Sequence, residues 1–202
     1  MMTPTHMMLA AALFSRPGAA ARNTAALVGG LIPDLGIYVL WIWSKLAGIP
    51  EWQVWREIYW QPPWKTSVNL GHSVVVYVVA LALLFVFVAR LDRHRLMAGT
   101  LGVVTIFLLA GFSAAATDFP VHNDDAHPPF WPISLWTFES PVSYWDPAHF
   151  GREFGLFEIG LGIALAVVLW LRHSNIWARV AIGLAGVSYL AVPAYFKATL
   201  GG

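Results

Sequence analysis

The sequence predicts an all-α fold: a polytopic helical membrane protein of about five transmembrane helices preceded by an N-terminal half-helix. Three observations predict it. The first is composition. Of 202 residues, 58% are hydrophobic and only 11% charged, and the mean hydropathy is +0.63, whereas a soluble domain carries about 25% charged residues. The second is a series of apolar runs near the roughly 20 residues that a bilayer core demands. The third is the distribution of arginine, which crowds the turns expected on one side.

The half-helix is expected over Thr5 to Ser15, too short to span and either re-entrant or packed against the first span. Pro17-Gly18 is a turn signal that separates the two. Spans are then expected over about Thr24 to Leu46, Gly71 to Ala89, Leu96 to Ala116, Phe154 to Leu171 and Ile176 to Phe196. Arg16 and Arg22 flank the first turn, Arg90, Arg93 and Arg95 lie between spans two and three, and Arg172 and Arg179 bracket the last turn. Alternating spans put these on one side, cytoplasmic by the positive-inside rule. The two long loops, 47–70 and 118–152, then face outward. Their tryptophans, Trp52, Trp55, Trp60, Trp64, Trp131, Trp136 and Trp145, suit an interfacial belt. There is no internal repeat, and residues 1–202 read as a single domain. Met1 to Phe14 carry no Lys or Arg, so the N-terminus does not have the form of a secretory signal, although Ala19-Ala20-Ala21 mimics a cleavage site.

Several chemistries are excluded. Without cysteine there is no disulfide framework, thiolate site or Cys nucleophile. A net charge of +1 gives no electrostatic case for nucleic acid as a partner. A metal would be held by His, Asp and Glu, which suits zinc, iron or manganese.

Ionisable residues in or beside spans are costly in lipid and point to function. His6 opens the half-helix and Asp34 follows Pro33 midway along the first span. Both lie 14 positions from Ala20, so a hairpin would bring them to one depth, where they are expected to pair; the plain alternative is a fraying His and a carboxylate capping a helix broken at Pro33. His72 begins the second span and Asp118 ends the third. Asp118 leads into Phe119-Pro120-Val121-His122-Asn123-Asp124-Asp125-Ala126-His127, five possible ligands in ten residues. Oxygen and imidazole donors at that density can hold divalent ions, and a solvated acidic loop is the alternative. Straight upright helices would leave Asp118 about 10 Å further out than Asp34. Tilt, a break at Pro33 or a dipping loop must close that gap. Glu158, just over a turn into the fourth span, is a further candidate, whereas Glu153 reads as an acid favoured by the helix N-terminus. Asp146 and His149 belong to an ordered lid or edge. His94 and His173, in the basic turns, read as surface residues.

At Thr5-His6, Pro33-Asp34, Gly71-His72-Ser73 and Asp118 the first 120 residues or so resemble the YdjM-like family, described as LexA-binding, inner-membrane-associated or membrane-bound metal-dependent hydrolases. That pattern in turn is similar to zinc-dependent phospholipase C. The resemblance implies a metal role for His6, Asp34, His72 and Asp118, and a bacterial inner membrane location. Two family positions differ: Lys65-Thr66-Ser67-Val68-Asn69-Leu70 lacks the His expected shortly before His72, and Ala114 stands where a His is expected.

The expectation is therefore a membrane-bound metal-dependent hydrolase with a site of two or three ions, zinc first, facing the outer (periplasmic) side. Its ligands are His6, Asp34, His72, Asp118, His122, Asp125 and His127. Asp34 or Asp118 bridges two ions, water activated by the metal is the nucleophile, and Asp124 or Asp125 is the general base. Membrane lipids surround it, and a lipid or lipid-linked phosphoester is the substrate class. The alternative from another class is a non-catalytic membrane protein, an ion or proton permease or a structural subunit.

Overall fold

The computed structural model describes residues 1–89 and 99–200. The expected arginines Arg90, Arg93 and Arg95 and the surface assignment of His94 lie outside the described residues. Within them the chain is helical, with no strand. The helices are α1 (Thr3–Phe14), α2 (Ala20–Leu46), α3 (Trp64–His72), α4 (Val74–Ala89), α5 (Thr100–Asp118), α6 (Gly151–Arg172) and α7 (Ile176–Leu200). A short helical turn at Glu51–Gln53 runs into a π-turn at Val54–Ile58 between α2 and α3.

Four helices, α2, α5, α6 and α7, are long and apolar enough to cross a membrane, and the bent pair α3–α4 makes a fifth if counted as one span. Large apolar side chains such as Leu83, Phe85, Leu171, Leu184 and Leu190 point outward, a surface that lipid solvates and water does not. By length and composition the helices are consistent with an integral membrane protein.

The half-helix does more than lean on the first span. α1 sits among α2, α5, α6 and α7, with Ala10 and Met8 buried. Small residues allow this: a Cβ on Gly30 of α2 would lie 2.9 Å from the His6 carbonyl oxygen of α1, the kind of backbone approach on which helix pairs in lipid depend.

The second span differs from the expected helix over Gly71 to Ala89. Helix begins at Trp64, then bends by 57° between α3 and α4. Ser73 sits at the bend, extended at ψ 111°. Its Oγ accepts from the Val76 N–H (3.2 Å) and donates to the Trp131 carbonyl (2.5 Å), so serine caps α4 while fastening the 119–150 loop to it. Tyr77 donates across the bend to the Gly71 carbonyl (2.9 Å). Pro33, by contrast, does not break α2, which is continuous through it. α3 crosses there instead: a Cβ on Gly71 would fall 2.8 Å from Pro33 Cα.

Two of the basic turns meet at one end. Arg172 donates to the Ala12 carbonyl (2.6 Å) and Ser15 Oγ bonds His173 Nε2 (2.9 Å). His173 is thus buried, not a surface residue, because α1 ends against the turn that carries it. At the opposite end lie the loop 119–150 and the ionisable cluster.

A candidate metal centre

Asp118 is the hub. It ends α5, where the helix dipole disfavours a carboxylate, and it is only 2% exposed. That conflict between local preference and position is a signal in the sequence for a site. Its compensation is a ring of imidazoles. His6 Nε2 lies 3.1 Å from Oδ1, His122 Nε2 3.3 Å from Oδ1, and His72 Nε2 3.1 Å from Oδ2. The Met1 amino group also contacts Oδ1.

Each imidazole comes from a different element. α1 carries His6, the end of α3 carries His72, and the loop after α5 carries His122. His72 Nδ1 donates to the Val68 carbonyl (2.9 Å). A carbonyl only accepts, so the proton is on Nδ1 and Nε2 is turned to the carboxylates, the tautomer control common behind metal-binding histidines. Nε2 also lies 3.9 Å from Asp34 Oδ1. Asp34, His72 and Asp118 each offer an atom within 4.8 Å of the others, a buried group that could hold a metal ion.

The loop half of the cluster is pinned, not waving. Ser140 donates to the His122 and Pro120 carbonyls (2.9 and 2.6 Å), and the Tyr144 N–H to that of Val121 (3.0 Å). Tyr144 packs on His122 with ring centres 4.9 Å apart. His122 Nδ1 lies 3.0 Å from Asp125 Oδ1, and Trp145 Nε1 donates to Asp125 Oδ2 (3.1 Å). His127 stacks 3.9 Å from His72.

Charge holds this half together. Burial opposes ionisation of His122, but the Asp118 and Asp125 carboxylates outweigh it and hold the imidazole up at about 9. Burial also opposes the charge on Asp125, and His122 outweighs it, keeping the carboxyl below its usual range. At His127 burial acts with the neighbouring His72, His122 and Lys65 and keeps the ring neutral.

These donors fit a metal. His6 Nε2, both nitrogens of His122, Asp125 Oδ1 and His127 Nδ1 are buried yet make no hydrogen bond, although several lie at contact distance from one another. Buried polar atoms are rarely left so. A tetrahedral ion with bonds of about 2.0 Å separates its ligands by roughly 3.3 Å, close to the spacings around Asp118. A cavity of ≈ 10 Å³ lies among His72, Asp118, His122 and His127, about the space one water or ion fills.

The seven sequence-expected ligands lie in one connected cluster of side chains, but the expected pairing of His6 with Asp34 is not made. His6 meets Asp118 rather than Asp34. Asp34 accepts from Thr3 Oγ1 (2.6 Å), a partner with no signal in the sequence. Asp124 is exposed, and Asp125 is the carboxylate that engages His122. Asp146 and His149 bond each other (2.7 Å) at the loop's edge. Glu153 is exposed in the first turn of α6. Glu158 is 1% exposed and turns to α1: it accepts from the Met2 N–H and Thr5 Oγ1, both at 2.7 Å, with Thr5 also bonded to Tyr189. It anchors the N-terminus of the helix that delivers His6. Ala114 is buried. Comparison of the chain with family models, with curated proteins and with solved structures gave no match.

Proposed function

We propose that this chain is a membrane-embedded, metal-dependent hydrolase of phosphoesters, with a lipid or lipid-linked phosphate as the substrate class. The observation that carries the reading is the Asp118 carboxylate ringed by three imidazoles at 3.1 to 3.3 Å while His6 and His122 make no hydrogen bond through those nitrogens. His6 and His122 face Asp118 Oδ1 and His72 faces Oδ2, with Asp34 near His72, His127 stacked on it and Asp125 against His122. These residues would hold the metal, with Asp118 at their centre. Zinc suits a set of nitrogen and oxygen donors at this spacing. When bound, such ions acidify a water toward a pKa of about 7 and neutralise charge on phosphoryl oxygens.

The chain's own groups do the rest. Val68 fixes the His72 ring, Asp125 orients His122, and Tyr144 covers the imidazole from solvent. Asp125, held by Trp145, receives the proton of the attacking water as general base. A groove of ≈ 500 Å³ lined by Ile32, Leu35, Val39, Trp64, Leu70 and Phe107 opens beside Gly71, next to His72, and suits a hydrocarbon chain. The resemblance to the YdjM-like family supports the reaction class and a bacterial inner membrane, and the basic turns support a periplasmic site.

A permease would need polar groups along its whole path. Among the described residues the ionisable cluster lies at one end, and the other end offers the Ser15–His173 pair and arginines. Elemental analysis of the detergent-purified chain tests the proposal. One or more equivalents of zinc, iron or manganese, lost in both Asp34→Ala and His122→Ala, support it. No metal in the wild type after reconstitution refutes it.

A further inference from the structure

The stripe of α3 that carries His72 also carries Lys65 and Asn69, spaced i, i+4 and i+7 along one helical face. Lys65 Nζ is shut from solvent and has no hydrogen-bond partner. It lies 4.5 Å from the centre of the Trp60 ring and 5.2 Å from that of Tyr59. Aromatic faces offset a cation only in part, and an ammonium has three donors to place. It shares its helical face with His72, which contacts Asp118 and stacks on His127, so that face is turned to the cluster. The nearby carboxylates face other groups, Asp125 toward His122 and Trp145, and Asp118 toward three imidazoles. One turn on, Asn69 is buried and its Oδ1 is unbonded. The two amide orientations exchange donor for acceptor, so Asn69 can turn its NH₂ to the same face.

A desolvated ammonium with idle donors, flanked by an amide and set beside the candidate metal centre, is prepared for an anionic acceptor. We propose that Lys65, assisted by Asn69, binds a phosphoryl anion at the candidate metal centre, gripping an oxygen that the cluster does not hold. This rests on the phosphoester reading above.

The test is binding, not turnover. Inorganic phosphate, and separately detergent micelles doped with phosphatidic acid, are titrated into the full-length detergent-solubilised chain with and without zinc, by calorimetry, and metal content is measured alongside. A charge-assisted hydrogen bond corresponds to a loss of about tenfold to a hundredfold in affinity. Lys65→Met is expected to weaken phosphate binding by that factor at unchanged zinc content, and Lys65→Arg to retain most of it. Tighter binding of phosphatidate identifies a lipid head group, and preference for inorganic phosphate a soluble one. Binding that depends on Lys65 in a chain holding no zinc would sustain this inference while the metal reading fell. Lys65→Met within twofold of wild type, or a wild type that binds neither probe, would overturn it.

Discussion

Replacing Gly71 by alanine tests whether the crossing of α2 and α3 sets the position of His72. The added Cβ would lie 2.8 Å from Pro33 Cα, 2.9 Å from the Pro33 carbonyl oxygen and 3.1 Å from that of Ile32. The closest of these is roughly 0.6 Å short of ordinary van der Waals contact, which begins at 3.4 Å. All three are backbone atoms, so no flexible side chain can give way. Either α3 lifts from α2 or the helix ends distort, and overpacking of this kind costs about 1–3 kcal/mol. His72 is the next residue, and its Nε2 must stay near both Asp34 and Asp118, so the strain should also weaken metal retention. The control is Gly160→Ala in α6, where a Cβ meets nothing within 4 Å. There alanine should be neutral or stabilising by about 0.5–1 kcal/mol, since glycine is the costlier residue in mid-helix. Thermal unfolding of both variants in one detergent, with elemental analysis, gives a loss for Gly71→Ala and none for Gly160→Ala if the reasoning holds. A Gly71→Ala protein as stable and as metal-replete as wild type would refute the close crossing.

Other expectations follow from the same geometry. Glu158→Leu strands the Met2 N–H and the Thr5 hydroxyl and should destabilise by about 1–3 kcal/mol, while Glu158→Gln, which keeps an acceptor, should lose less; equal losses in thermal unfolding would contradict the anchoring role. Ser73→Ala removes the cap of α4 and should cost about 1 kcal/mol, seen as a lower unfolding temperature and faster proteolysis within the 119–150 loop. Burial opposes the charge of Glu51, but Lys45, Trp55 and Tyr195 outweigh it and hold its pKa below the usual carboxylate value of 4.5. A lowered native pKa means that the stability it contributes is present above that value and is lost as pH falls through the native one. Glu51→Gln should therefore be less stable than wild type at neutral pH, the gap closing in acid; a gap that does not change with pH would count against the ion pair.

Much of the architecture is written along the chain in one dimension. Span number and placement follow from apolar run length, because lipid leaves a helix no other way to satisfy its backbone, and α2, α5, α6 and α7 fall where those runs predict. The residues of the cluster were legible for two reasons: Asp34, His72 and Asp118 are costly near lipid, and the His122–His127 run packs oxygen and imidazole donors at a density that suits divalent ions. Their partners were not legible. Depth arithmetic pairs His6 with Asp34, yet His6 meets Asp118, because equal depth says nothing of which way round the bundle a side chain points. The bend at Ser73 depends on a carbonyl of Trp131, 58 residues on. Thr3, Tyr144 and Lys65 carry no signal in their local sequence, since an unpartnered ammonium is defined by what the rest of the fold fails to offer it. Sequence alone determines which groups must be hidden from lipid; only the packing of α1 among four helices and the fastening of the loop decide which of them meet.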